Sequence, residues 1–146
     1  MTPNFGVVVI GRNEGERLVR CLGSITPFGI PIVYVDSNAT DGSPDRTALL
    51  GVEVVQLDLS KPFTAARARN FGFEALAKGH PDLAYVQFVD DCKVAGDWLP
   101  AASAFLRVHP EVAVVCGRGR EPFPDASVYN AMCRSELDIP IGETLL

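Results

Sequence analysis

The sequence predicts an α/β protein with an open, mostly parallel twisted sheet and helices on both faces, a three-layer α/β/α arrangement. Two observations predict this class. Runs of β-branched residues without polar alternation, such as Phe5–Ile10, are typical of strands that are buried on both faces. These runs alternate with helical patterns over short connections, which is the order expected when helices join neighbouring parallel strands.

The first two strands and helices follow from hydrophobic spacing and from capping residues. Phe5–Ile10 is the first strand. Asn13 and Glu16 have the spacing of a capping box and are predicted to open the first helix. The apolar face of that helix consists of Leu18, Cys21, Leu22 and Ile25. Ile32–Val35 is the second strand, and Ser43 is predicted to cap a helix that ends near residue 50.

The remaining elements continue the alternation of strands and helices. The predicted elements are a strand at Val52–Gln56, a helix over about Thr64–Ala77, a strand at Ala84–Val89, a helix opened by Asp97, a fifth strand at Val112–Cys116 and a helix over Ser127–Ser135. We see no linker or repeat, and we expect residues 1–146 to form a single domain.

Composition excludes several classes of protein. Hydrophobic residues make up 47% of the chain and charged residues 21%, which excludes a disordered chain, a collagen-like repeat and a coiled coil. The apolar runs are strand-length, short of the roughly 20 residues that span a bilayer. A net charge of −5 argues against nucleic acid as a partner. Four cysteines without paired or zinc-like spacing predict reduced thiols and a cytoplasmic protein.

Polar residues follow the predicted strands, and ligands of open α/β sheets bind at these carboxyl ends. They are Gly11, Arg12, Asn13, Asp36, Ser37, Asn38, Asp90, Asp91 and residues 117–120. Paired carboxylates can hold a divalent cation, and arginines can flank a diphosphate. The candidate arginines are Arg67, Arg69, Arg118 and Arg120. Taken one residue at a time, the two acids are also explained as a solvated turn, and the arginines as surface residues that aid solubility.

Several common motifs are missing. The segment after the first strand contains neither GxGxxG nor GxxxxGK[ST], so a dinucleotide oxidoreductase and a P-loop enzyme are disfavoured. The absence of GxSxG disfavours a serine hydrolase of the α/β class.

Four segments carry a family resemblance. They are Val9–Leu18 (VIGRNEGERL), Val35–Ser43 (VDSNATDGS), Ala66–Gly72 (ARARNFG) and Val86–Cys92 (VQFVDDC). Taken in this order and at this spacing, they resemble family 2 glycosyltransferases, inverting enzymes with the Rossmann-like GT-A fold. The resemblance implies transfer of a sugar from a nucleotide-diphosphate sugar, commonly a UDP-sugar, with Mg or Mn as cofactor.

The resemblance also implies roles for residues on the nucleoside side. Asp36 would bind the base or the ribose. The backbone of Gly11, Arg12 and Asn13 would line the nucleoside, and Glu14 would lie nearby.

On the diphosphate side, the resemblance places Arg69 near the nucleotide and lets Asp90 and Asp91 contact ribose, metal and diphosphate. The family pattern is Asp-x-Asp, whereas here the two acids are adjacent and point oppositely in an extended strand. Lys93 also stands where an acid is expected. We therefore expect weak metal binding or a single carboxylate ligand.

The acceptor half of the family follows the Asp-x-Asp strand and normally continues beyond this length. We expect a truncated chain that carries the donor half, with an acceptor that is a saccharide, lipid or protein. The late acids considered as catalytic base are Glu121, Glu136 and Asp138, and none is favoured.

Two alternatives remain open. One is a nucleotide-binding module without turnover, or one half of a split transferase that needs a partner chain, and either form fits the cytoplasm or a peripheral position at the inner face of the membrane. The other is a sugar nucleotidyltransferase, which would need a glycine-rich basic loop after the first strand that residues 11–14 do not supply.

Overall fold

The computed structural model describes residues 4–90 and 92–137. Its elements in chain order are β1 (Phe5–Gly11), α1 (Glu16–Ile25), β2 (Ile32–Asp36), α2 (Ser43–Leu49), β3 (Glu53–Gln56), α3 (Ala65–Gly79), β4 (Tyr85–Val89), α4 (Trp98–Val108) and α5 (Val128–Leu137). The chain separates into two compact units, divided between Val108 and His109. The first unit contains the sheet and α1–α4, and the second unit contains α5.

The four strands form one parallel sheet in the order β3-β2-β1-β4. The chain moves outward from β1 to β2 and β3, and then crosses to the other side of β1 to form β4. The register pairs Gly11 with Asp36 and Val9 with Val89, so β1, β2 and β4 end at the same edge. This reversal creates a topological switch point beside β1, where ligands of such sheets bind.

Helices cover both faces of the sheet because successive side chains of β1 point to opposite sides. Val7 and Val9 pack against the apolar face of α1 and against Leu99 of α4. Val8 and Ile10 pack against α3 on the other face. The predicted fold class, a parallel sheet with helices in a GT-A-like α/β arrangement, is confirmed.

Helix α3 lies unusually close to the sheet at Gly72. A Cβ atom added to this glycine would stand 2.3 Å from Cγ1 of Val8 and 2.8 Å from Cγ2 of Val35. The helix can lie this close only because glycine has no side chain. The close approach sets the distance of α3 from the sheet, and therefore the position of Arg69 on the same helix.

The predicted fifth strand, Val112–Cys116, is wrong. This segment is not a strand in the structure, and Val114 is 66% exposed. A β-branched run becomes a strand when it pairs and packs, since its propensity reflects those contacts more than an intrinsic backbone preference. Within the described residues the sheet has four strands, and residues 112–116 pair with none of them.

Two predicted helix caps are also wrong. Gly15, not Asn13, is the N-cap of α1, and no side chain of its own loop caps it. Gly42 is the N-cap of α2, with Ser43 as the first helical residue. Pro44 is therefore the second residue of α2, in its first turn, where proline is tolerated.

Candidate functional site

The candidate site is the edge of the sheet at which β1, β2 and β4 end. Three segments meet there: the loop after β1 (residues 12–15), the loop after β2 (residues 37–42) and Asp90 directly after β4. Arg69 reaches the same edge from α3. The structure therefore brings together the predicted residues Gly11–Glu14, Asp36, Arg69 and Asp90.

Asp36 ends β2 as a buried carboxylate with internal partners. Its Oδ1 accepts a hydrogen bond from the Tyr34 hydroxyl at 3.1 Å, and its Oδ2 accepts one from the Ala39 amide at 3.1 Å. Burial, followed by the Asp36 charge, raises the pKa of the Tyr34 phenol well above its ordinary range. Tyr34 therefore stays protonated and donates to Asp36, which holds the start of the β2–α2 loop in place.

Two side chains fasten the loop after β1 to the loop after β2. Asn13 Oδ1 accepts a hydrogen bond from the Thr40 amide at 2.7 Å. Asp41 Oδ2 accepts one from the Gly15 amide at 3.0 Å, so α1 is capped from a different loop. Asp41 Oδ1 also accepts the Ser43 hydroxyl at 2.5 Å, and this bond is the main cause that lowers the pKa of Asp41. The deprotonated carboxylate thus holds both loops together.

Backbone geometry in these loops is restricted. Asn13 has a φ of 54° and Asn38 a φ of 65°, the left-handed region that asparagine tolerates better than most residues. Gly11 lies close to its neighbours, since a Cβ there would stand 3.0 Å from Cγ of Glu14.

Two oxygen atoms near this network are buried and have no hydrogen-bond partner among the described residues. They are Oε2 of Glu14 and Oγ of Ser37. Glu14 Oε2 lies 3.0 Å from a guanidinium nitrogen of Arg17, as an ion pair without hydrogen-bond geometry. A buried polar atom without a hydrogen bond costs free energy in the fold.

Arg69 and Asp90 form an ion pair on the other side of the switch point. The Nη2 atom of Arg69 lies 2.8 Å from Oδ2 of Asp90 and 3.2 Å from its Oδ1. The two side chains are 39% and 51% exposed, so water and ligands reach both. An exposed pair of this kind is weak and can exchange partners.

Arg67 lies on the same helix but is used differently. Its guanidinium donates to the carbonyl oxygens of Asp58 at 2.6 Å and Lys61 at 3.0 Å, and it stacks 5.8 Å from the ring centre of Phe71. Arg67 therefore fastens the β3–α3 loop of its own chain, and its predicted contact with a diphosphate stays a prediction.

Arg118 and Arg120 belong to the second unit, where they line an open pocket with Arg134. Of the late acids, Glu121 Oε1 accepts bonds from the Phe123 amide and the Asn130 side chain. The side chain of Glu136 and the whole of Asp138 lie outside the described residues.

Only part of the predicted cation site can be described. The exposed oxygens of Asp90 suit Mg or Mn, with water and phosphate completing the shell, but Arg69 shares them. The second predicted ligand, Asp91, lies outside the described residues. In the described part of the chain, no three His, Cys, Asp or Glu side chains are grouped to hold a metal ion.

The sequence predicts a ligand site in the loop after β2 but not the two side chains that hold this loop, Tyr34 and Asp41. Tyr34 is predicted only as part of a strand, although its position two residues before Asp36 puts both side chains on one face. Asp41 precedes Gly42 and Ser43, an arrangement in which the carboxylate can accept the amide two residues on, and this signal could have found it.

One comparison with known proteins finds a match. A family profile described as Glycosyl transferase family 2 matches residues 6–138. No curated protein matches the chain.

Proposed function

Since the chain belongs to glycosyl transferase family 2, we propose that it transfers a sugar from a nucleotide-diphosphate sugar, with UDP as carrier, to an acceptor. The observation that carries this proposal is the Arg69–Asp90 ion pair at the switch point of the sheet, beside the two fastened loops. It places a cation and an exchangeable carboxylate at the edge where the fold offers a ligand crevice.

On the nucleoside side, the backbone of Gly11, Arg12 and Asn13 forms one wall in this proposal, with Glu14 behind it. The wall is rigid because Asn13 and the loop after β2 hold each other. Asp36 lies at the foot of the wall and is 1% exposed. Its two oxygens accept few enough bonds to leave room for a donor from the base or the ribose. Preorganisation of this kind raises affinity by reducing the ordering that binding requires.

On the diphosphate side, Arg69 is the proposed cation. A guanidinium binds phosphate oxygens in a bidentate geometry and offsets the charge that develops when the sugar leaves. Arg69 is pre-positioned by Asp90, whose carboxylate remains free to accept a ribose hydroxyl once the guanidinium turns to phosphate. We assign Arg67 to the support of its loop and not to the diphosphate.

Family 2 enzymes often use divalent cations. We propose Mg or Mn as the cofactor, with Asp90 and Asp91 as its ligands. When bound, the ion supplies charge that stabilises the departing diphosphate. Calorimetry of UDP binding with and without Mn tests this assignment, and an unchanged affinity contradicts it.

The acceptor and the location of the protein are proposals as well. No helix of the described residues is long and apolar enough to cross a membrane. No disulfide is formed among the four cysteines within the described residues, which suits the cytoplasm that we propose as the location. An acceptor hydroxyl on a saccharide, lipid or protein suits the family reaction.

A binding module without turnover, or a half that needs a partner chain, is the second candidate. One observation favours it: Glu121, the late acid whose side chain is described, spends its Oε1 on two internal hydrogen bonds. An inverting transfer needs a carboxylate that accepts the acceptor's proton.

Two measurements test the proposed function and separate these candidates. Thermal shifts with a panel of nucleotide sugars test binding, since a ligand at a hundred times its Kd adds about 2.7 kcal/mol of stability. Release of free UDP from the donor that binds best then tests turnover. Binding with slow UDP release supports a transferase, and binding without release supports the module. No shift with any nucleotide contradicts both.

A further inference from the structure

The segment after β4 carries Asp90 but has no regular structure to hold it. Residues 90 and 92–95 belong to no helix or strand, and α4 begins at Trp98. The side chain of Asp90 is 51% exposed, and that of its partner Arg69 is 39% exposed. An exposed ion pair of this kind is too weak to fix the backbone beneath it. The position of Asp90 therefore depends on the contacts that this segment makes with the rest of the first unit.

Helix α1 holds both ends of this segment. The hydroxyl oxygen of Ser24 accepts a hydrogen bond from the Val94 amide at 3.0 Å. The thiol of Cys21 donates to the backbone carbonyl oxygen of Asp90, with 3.7 Å between sulfur and oxygen. Because a thiol is a weak donor, the bond of Ser24 is the stronger of the two. These contacts attach the segment to a helix that lies about 70 positions earlier in the chain.

The Ser24 hydroxyl is oriented for this bond before any ligand arrives. It donates its proton to the carbonyl oxygen of Cys21, in the preceding turn of α1, at 2.6 Å. A hydroxyl has one proton and two lone pairs, so the lone pairs remain for the Val94 amide. The side chains of Cys21 and Val94 are buried in the same apolar cluster, which keeps the helix and the segment in contact. Donor and acceptor are thus preorganised.

We propose that Ser24 is a positioning residue for Asp90. By holding Val94 on α1, its hydroxyl keeps the Asp90 carboxylate within reach of Arg69 and of the nucleotide. This role rests on the proposed function, because it belongs to the β4 side of the same site. Ser24 acts through the chain that joins Val94 to Asp90. Errors of about 1 Å in the placement of a functional group can lower a rate roughly a hundredfold.

The first test measures UDP affinity of the full chain by calorimetry. Ser24→Ala removes the acceptor of the Val94 amide, and we expect UDP affinity to fall roughly threefold to tenfold, the effect of about one net hydrogen bond. The matched control is Ser103→Ala in α4. Its hydroxyl donates to the carbonyl oxygen of Pro100 at 3.0 Å, the same spacing within a helix, so UDP affinity should stay unchanged.

Amide hydrogen exchange shows the effect of Ser24 without a ligand. The Val94 amide should exchange faster in Ser24→Ala than in the wild type and in Ser103→Ala. Ser24→Thr keeps a hydroxyl that can bond to the preceding turn. It should restore UDP affinity to the extent that it restores slow exchange at Val94. Slow exchange at Val94 without recovery of UDP affinity contradicts the role of Ser24.

A double-mutant cycle separates positioning from a general loss of stability. If Ser24 acts through Asp90, Ser24→Ala should weaken UDP binding in the wild type but cause no further loss in Asp90→Ala. Equal losses in the two backgrounds overturn the proposal, and so does an Asp90→Ala variant that binds UDP as the wild type does. Circular dichroism at the temperature of the titrations checks that all variants are folded.

The outcomes also separate this role from the proposed function. If the wild type does not bind UDP, the proposed function fails and the role of Ser24 fails with it. If the wild type binds UDP and Asp90→Ala weakens the binding, but Ser24→Ala does not, the positioning role alone is overturned.

Discussion

The two sides of the sheet edge at which β1, β2 and β4 end are built differently. On the β2 side, Asp36 is 1% exposed and two further side chains, Asn13 and Asp41, fasten one loop to the next. On the β4 side, a single exposed ion pair joins Arg69 to Asp90. The β2 side is fixed before any ligand arrives, whereas the β4 side consists of charges that can change partners.

This difference matches the proposed division of labour. A nucleoside is recognised by shape and by placed acceptors, which a rigid wall provides. A diphosphate that leaves during the reaction needs charge that adapts as the bond breaks, and an exchangeable guanidinium provides it. Substitutions on the β2 side should therefore change the free energy of unfolding, whereas substitutions on the β4 side should change the affinity for the ligand.

The largest expected effect comes from raising α3 off the sheet. Gly72→Ala places a Cβ 2.3 Å from Cγ1 of Val8, and such overpacking costs about 1–3 kcal/mol of unfolding free energy. Gly23→Ala in α1 is the control, because nothing lies within 4 Å of its Cβ. It should stabilise the helix by about 0.5–1 kcal/mol. Urea unfolding measures both, and equal stabilities would falsify the close approach of α3.

The next effect separates the two arginines of α3. Arg69→Ala should weaken UDP binding roughly tenfold, since hydrogen bonds to charged groups contribute about 1.5–3 kcal/mol. Arg67→Ala should lower stability by loosening the β3–α3 loop and leave UDP affinity within about twofold of the wild type. Calorimetry measures the UDP affinity of the two variants, and thermal unfolding measures their stability. The reverse pattern of effects would contradict the assignment.

Removing the Tyr34 hydroxyl tests the β2 side. Tyr34→Phe should cost about 0.5–1.5 kcal/mol, the net value of one hydrogen bond, because Asp36 keeps its bonds from Ala39. Since the pKa of Tyr34 is raised in the fold above its ordinary 10.0, its contribution is complete below pH 10 and is lost above it. The difference in stability between the two proteins, measured by urea unfolding, should therefore shrink in strong alkali. A difference that is constant with pH counts against the bond.

The smallest effect concerns Asp41 and acid. Its pKa is lowered below 3.8 in the fold, so its contribution to stability is present above that pH and is lost as the pH falls through the lower native value. Asp41→Asn should be slightly less stable than the wild type at pH 7, and the gap should close as the pH falls below 3.8 and through the lower native pKa. Asp82→Asn, an exposed loop acid, is the control. A gap that persists in acid argues against the carboxylate as the fastener of the loops.

Sequence patterns predicted the first unit well because its elements are local and strongly patterned. The run in β1 and the helical spacing of Leu18, Cys21 and Leu22 each depend on neighbours in the chain, and both predicted elements are present. The rule that ligands bind at strand ends also predicted that Gly11, Asp36 and Asp90 lie at one edge of the sheet, and their strands end together there.

What the sequence could not predict depends on contacts between distant residues. Asp41 caps a helix that begins 25 residues earlier in the chain, and Arg67 donates to the carbonyl oxygens of the loop before its helix. Residues 112–116 have the composition of a strand but no partner in the described sheet. In each case the residue type allows several roles, and contacts with residues elsewhere in the chain determine which role is taken.

The most direct test of the central claim is an amide NMR titration of the full chain with UDP. We expect the shifts to concentrate at residues 11–14, 36–41, 69 and 90, on both sides of the switch point. We also expect the Arg69→Ala variant to keep the shifts of the first two segments at higher UDP concentration, because its nucleoside wall is intact. Shifts confined to residues away from this edge, or none at saturating UDP, would contradict a nucleotide site at the end of the sheet.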